Sequence, residues 1–171
     1  MRFPALLLCI ALAVPAHAAP TFTALVTAVA DGVTLTVLTA QDKRQVKIRL
    51  YGIDCPESRQ TFGKRAKQAS SDAVFGKNVT VQPINTEHHG LTAAVVLMPG
   101  GKSLNEHLIR EGLAQVSAQH CTQEDICAPL SRLEKSAKVQ KRGMWEDKKA
   151  VQQQDDWLIL PRMGGGGREK L

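Results

Sequence analysis

Apolar and polar residues alternate along the first third of the chain. Residues 21–30 are rich in Thr, Val and Ala and read as a strand. Asp31-Gly32 marks a turn. Val33, Leu35 and Val37 then alternate with Thr34 and Thr36. Gln41-Asp42-Lys43 turns the chain again, and Val46, Ile48 and Leu50 alternate with Lys47, Arg49 and Tyr51. A period of two puts each apolar set on one face, which predicts a meander of three strands over a core.

After Pro56 the period changes. Pro56 ends the third strand and Ser58 is placed to cap a helix. Phe62, Ala66, Ala69 and Ala73 recur at helical spacing, so a helix is predicted to about Val74, closed by Gly76. Residues 78–84 and 91–98 are two further strands, and Pro99-Gly100-Gly101 is a turn. Ser103 and Glu106 form an S-x-x-E capping box before a helix that buries Leu104, Leu108 and Ile109 and stops at Gly112. Residues 113–116 form a short extended piece. Leu130, Leu133 and Ala137 mark a last helix ending at Gly143. The expected fold class is α+β, mainly β: a five-stranded OB-fold barrel with about three helices.

The two ends do not fit that pattern. Arg2, the apolar run through Leu6, Leu7, Leu8, Ile10 and Leu12, and Ala16-His17-Ala18 have the order of a secretory signal peptide over residues 1–18. The apolar run is shorter than the ~20 residues a membrane span requires. Residues 19–148 make one domain, and residues 149–171 are a polar, Gly-rich tail expected to be flexible. The product is therefore expected to be exported, to the periplasm or outside the cell, with no membrane attachment after cleavage. Cleavage removes Arg2, so Lys+Arg falls from 22 to 21 against 16 acidic residues, a net charge of +5. That balance suits a polyanionic partner such as DNA or RNA. Of the three cysteines left, Cys121 and Cys127 are close enough to staple a loop in an oxidising compartment, and Cys55 is left over.

The chemistry concentrates in Arg49-Leu50-Tyr51-Gly52-Ile53-Asp54-Cys55-Pro56-Glu57. A hard cation takes carboxylate and carbonyl oxygens. A phosphodiester takes a guanidinium fork, and a second carboxylate can orient or deprotonate an attacking water. One Arg and two acids at this spacing can fill these roles. They can equally form a salt bridge at a strand end.

This stretch, with Asp31-Gly32-Val33-Thr34, Ser103-Leu104-Asn105-Glu106-His107 and Gly143-Met144-Trp145, resembles the staphylococcal nuclease-like, or thermonuclease, family. The resemblance runs from about residue 23 to about residue 145. It implies an OB-fold enzyme that hydrolyses DNA and RNA phosphodiesters with calcium. It implies Asp54 and the Cys55 backbone carbonyl as metal ligands, Glu57 acting on the attacking water, Arg49 clamping the phosphate, and Asn105 supporting a neighbouring loop.

Two departures stand against full activity. The family carries Asp-Gly-Asp-Thr, and its second Asp, a metal ligand, is Val33 here. Its second phosphate-clamping Arg aligns with Gly90. An arginine missing from a transferring phosphoryl group costs ~1,000- to 100,000-fold in rate. Asp31, His88 and His89 are the candidates to compensate. The expected function is nucleic-acid binding by a degenerate site with weak or absent hydrolysis. The alternatives are a metal-dependent endonuclease with a rearranged site and a non-catalytic cell-envelope interaction module. Lys64, Arg65 and Lys67 are either a phosphate track or a solvated helix face, and Tyr51 either stacks on a base or is buried.

Overall fold

The computed structural model describes residues 20–86 and 90–147. The expected signal peptide, the tail, and His88 and His89 lie outside the described residues. Five strands close into the expected OB-type barrel: β1 (Phe22–Val29), β2 (Thr34–Thr39), β3 (Gln45–Leu50), β5 (Asn78–Thr86) and β6 (Leu91–Leu97), in the order β1-β2-β3-β6-β5. β1 also pairs with β5, so the barrel has no free edge. β3 and β6 run parallel, and the other pairs are antiparallel. The predicted alternation sets the interior: Leu35, Val37, Ile48 and Leu50 are fully buried or nearly so.

Three helices follow the barrel elements: α1 (Thr61–Val74), α2 (Leu104–Arg110) and α3 (Glu124–Val139). Ser103 caps α2 as expected, its Oγ accepting the Glu106 N–H at 3.3 Å, while the Glu106 carboxylate lies towards Arg110. Ser58 does not cap α1. Gln60 takes the cap position, and its side chain instead accepts the Glu57 N–H at 3.2 Å. The loop after Pro56 thus closes on itself before the helix starts. A two-residue ladder is an addition to the expected fold. β4 (Ile53–Asp54) pairs antiparallel with β7 (Gln115–Val116). Cys121 and Cys127 form the expected disulfide, with Cα atoms 5.7 Å apart, while Cys55 is free and buried. No described helix is long and apolar enough to cross a membrane.

α1 positions what lies at one end of the barrel. Its buried Ser70 hydroxyl donates to the Gly32 carbonyl at 2.7 Å, which fixes the β1–β2 turn. Its Gly63 presses on the loop after β4, where a Cβ would stand 1.8 Å from the Glu57 carbonyl oxygen. Only glycine permits that approach.

Candidate active site

The two turns held by α1 enclose a cleft of about 320 Å³ lined by Asp31, Val33, Arg49, Asp54, Glu57 and Arg59, with Cys55, Pro56 and Ser58 between them. Arg49 leaves β3 on its outer face, opposite Thr34 of β2. Its Nη2 pairs with Asp54 Oδ1. Asp54 is not on a free turn, because β4 holds it across from Gln115. The Arg49 and Asp54 side chains are only 16% and 6% exposed, so this salt bridge is an interior one. Asp31 Oδ1 accepts the Val33 N–H at 2.8 Å and closes the β1–β2 turn. Val33 walls the cleft and belongs to the core, with 3% of its surface exposed. Glu57 and Arg59 are exposed on the loop.

The turn between Arg49 and Asp54 is anchored from several sides. The Asn105 amide donates to the Tyr51 carbonyl at 3.0 Å, and the Ser117 N–H donates to the Gly52 carbonyl at 2.9 Å. Gly52 has φ +74°, and a Cβ there would meet Cys121 Sγ at 2.6 Å. Tyr51 is buried rather than available for stacking on a base, and the N–H groups of Thr122 and Gln123 donate to its hydroxyl at 3.0 Å. Burial pushes the Tyr51 phenol up, and its hydrogen bonds to Thr122 and Gln123 outweigh that and leave it below its usual value.

Other residues singled out in the sequence do not meet here. Gly90 lines a separate cleft with Thr36, Arg44, Gln45, Val46 and Lys47. Its φ of +73° marks it as a turn glycine ahead of β6, whose first residue, Leu91, pairs with Lys47. Gly90 itself is not among the residues that line the Arg49 cleft. Lys64, Arg65 and Lys67 are exposed along α1, with Arg65 over the Phe62 ring at 4.8 Å, which is a solvated helix face. Arg59 was missed, and its only sequence signal is a position two residues beyond Glu57. A larger cavity of about 580 Å³ lies between β5, β6, α2 and α3. It shares no residue with the Arg49 cleft.

The donors in the cleft do not fit the calcium site that the resemblance implies. Calcium takes 6–8 oxygens. One Asp54 oxygen pairs with Arg49, one Asp31 oxygen holds the turn, and Val33 offers an isopropyl group. Among the described residues no three His, Cys, Asp or Glu side chains come together as a metal-holding group.

Cys55 sits against Gly32 behind the cleft. Burial pushes its thiol from 9.0 up to about 12, and the nearby Asp31 carboxylate adds to the rise. The folded chain therefore keeps a proton that the unfolded chain releases above pH 9.0. Stability contributed by this group is whole below pH 9.0 and is lost as pH rises towards about 12. Urea unfolding across that window should show wild type losing stability with pH more steeply than Cys55→Ala. Parallel curves would contradict the burial argument.

Residues 47–147 match the family described as Staphylococcal nuclease homologue. The chain is 35% identical over 153 residues to "Protein ParB" of Escherichia coli, covering 83% of this chain and 84% of that protein. It is 33% identical over 135 residues to "Micrococcal nuclease" of Shigella flexneri, covering 74% of each. It is 35% identical over 119 residues to an "Uncharacterized endonuclease" of Escherichia coli O157:H7, covering 70% of this chain and 74% of that protein. The family match spans more than half of the 171 residues, and its fold, its Arg49–Asp54 cleft and its relatives agree: the chain belongs to the staphylococcal nuclease family.

Proposed function

We propose that this protein is an exported member of its family that binds nucleic-acid phosphodiesters at the Arg49 cleft and hydrolyses them weakly or not at all. The observation that carries the reading is Val33, an apolar core residue in the cleft wall where the family pattern places a metal-ligating Asp. Relatives named as nucleases support a nucleic-acid phosphodiester substrate. The net charge of +6 for the whole chain supports a polyanionic partner. The Cys121–Cys127 disulfide supports an oxidising compartment.

In this reading Arg49 grips a phosphate oxygen with the guanidinium N–H groups that Asp54 does not take. Asp54 holds that guanidinium in place. Glu57, on the exposed loop, is the carboxylate positioned to take a proton from water. The cleft does not gather the oxygens for a hard cation, so charge developing on the phosphorane oxygens meets Arg49 without a metal beside it. One missing preorganised stabiliser costs ~100- to 1,000-fold in rate.

The test is cleavage of single-stranded DNA and RNA by the chain from residue 19 onward, with calcium and with a chelator. Binding is measured in parallel at two salt concentrations. The expected result is salt-dependent binding with cleavage absent, or weak and indifferent to the chelator. Robust cleavage abolished by the chelator would overturn the degenerate-site reading in favour of a rearranged, metal-dependent site. Absence of salt-dependent binding would favour an interaction module.

A further inference from the structure

The outer face of β3 carries positive charge that the Arg49 cleft alone does not use. Val46, Ile48 and Leu50 turn towards the barrel, and Gln45, Lys47 and Arg49 turn out. Lys47 lies opposite Thr36 and Arg49 opposite Thr34 on β2. Neither β2 nor β3 contains an acidic or an aromatic residue. Side chains two positions apart on a strand stand about 6.7 Å apart, close to one repeat of an extended sugar–phosphate backbone. Beyond Arg49, Arg59 shares the same cleft. Lys47 opens onto the next cleft, beside Gly90.

The neighbouring cations differ in availability. Arg44 is paired with Asp42. That carboxyl is held below its usual value, first by the Thr39 hydroxyl and then by Arg44, so both charges belong to the β2–β3 turn. Lys47 and Arg59 have no ion-pair partner among the described residues. Arg49 is half-engaged, with one guanidinium nitrogen on Asp54. A row of usable charge therefore runs from Arg59 through Arg49 to Lys47 and stops before Arg44. The small side chains of Thr34 and Thr36 flank it and leave room for a backbone to lie close. With Tyr51 buried and no aromatic on the two strands, this face offers nothing for bases to stack on.

We propose that the outer face of β3 is a track for the backbone of a single-stranded polynucleotide, with one phosphate held by Arg49 and Arg59 in the cleft and the next on Lys47. Recognition is by charge and spacing, so it is independent of base sequence. This deepens the nucleic-acid reading and rests on it.

The experiment measures dissociation constants of the full chain for labelled oligothymidylate over a range of salt. Each phosphate contact contributes about 0.7 to the slope of log K against log salt for a single strand. Lys47→Gln and Arg59→Gln should each lower the slope by about 0.7, and Lys64→Gln on the solvated face of α1 should leave it unchanged. Thymidine 5′-phosphate fills only the cleft, so its binding should respond to Arg59→Gln and not to Lys47→Gln. Circular dichroism of each variant reports that the fold is kept, which the exposure of all three side chains predicts. Wild type failing to bind the oligonucleotide would remove the underlying reading and the track with it. Wild type binding with a slope that Lys47→Gln leaves untouched would sink the track and spare that reading. Tighter binding of a duplex than of the single strand would also overturn it.

Discussion

Arg49→Ala should destabilise the domain by about 3 kcal/mol, at the lower end of the range for breaking a buried ion pair. The Asp54 carboxylate is only 6% exposed beside Arg49, and the variant removes its guanidinium. An exposed pair would contribute at most about 1 kcal/mol, and the residual 16% exposure of Arg49 is why the upper end of the buried range does not apply. Urea unfolding measures the loss directly, and a thermal scan should show a drop on the order of 10 °C. Asp54→Asn placed in the same chain should recover much of it, because it removes the charge left behind. A loss below about 1 kcal/mol, with no recovery in the double variant, would mean that the pair behaves as a surface contact. The salt bridge that sequence reading offered as the plain alternative to a phosphate grip is present in the cleft. It holds Arg49 in place and also holds the fold.

The second large effect belongs to Asn105→Ala. Asn105 is 1% exposed. Its Oδ1 accepts the Val96 N–H at 3.1 Å, and its Nδ2 donates to the Tyr51 carbonyl at 3.0 Å and the Ala94 carbonyl at 3.4 Å. The Ala94 carbonyl keeps a second partner in the Tyr51 N–H. The Val96 N–H and the Tyr51 carbonyl lose theirs. Two buried backbone groups at about 1–3 kcal/mol each give an expected loss of ~3 kcal/mol. The same bond ties α2 to the turn that separates Arg49 from Asp54. Hydrogen exchange should therefore quicken at residues 51–54 beyond what global destabilisation accounts for. Uniform quickening across the barrel would show that Asn105 supports the fold without any local hold on the turn.

Sequence reading recovered the parts of this molecule that short-range physics dictates. The alternation at Val33, Leu35, Val37, Val46, Ile48 and Leu50 defines two strands. The S-x-x-E spacing at Ser103 and Glu106 defines a helix start, and the six-residue gap between Cys121 and Cys127 defines a ring. The features that were missed are long-range or side-chain choices. The β4–β7 ladder joins residues about sixty positions apart through only two residues on each side, too few for a period to emerge. Ser58 and Gln60 compete for the start of α1, and the choice depends on how the Glu57 loop folds against Gly63, which no local pattern encodes. Arg59 joins the site because it sits on the loop after β4, which packs against Gly63 of α1 and lines the cleft. Gly90 matches a site position by motif alone, and its place in the turn ahead of β6, beside Lys47, is visible only in the backbone angle and the register of β6 on β3.

The burial of Cys55 bears on how the chain matures under oxidising conditions. Three cysteines in the domain permit three single bridges, of which two would capture Cys55. The native bridge spans 6 residues, whereas bridges from Cys55 to Cys121 or Cys127 would close loops of 66 or 72. Loop-closure entropy favours the short ring by about 2 kcal/mol, so the correct bridge has the advantage even in a disordered chain. Once the barrel encloses it, Cys55 is a buried, protonated thiol, and mispairing requires the fold to open. Burial thus protects the odd cysteine of the domain in the folded state.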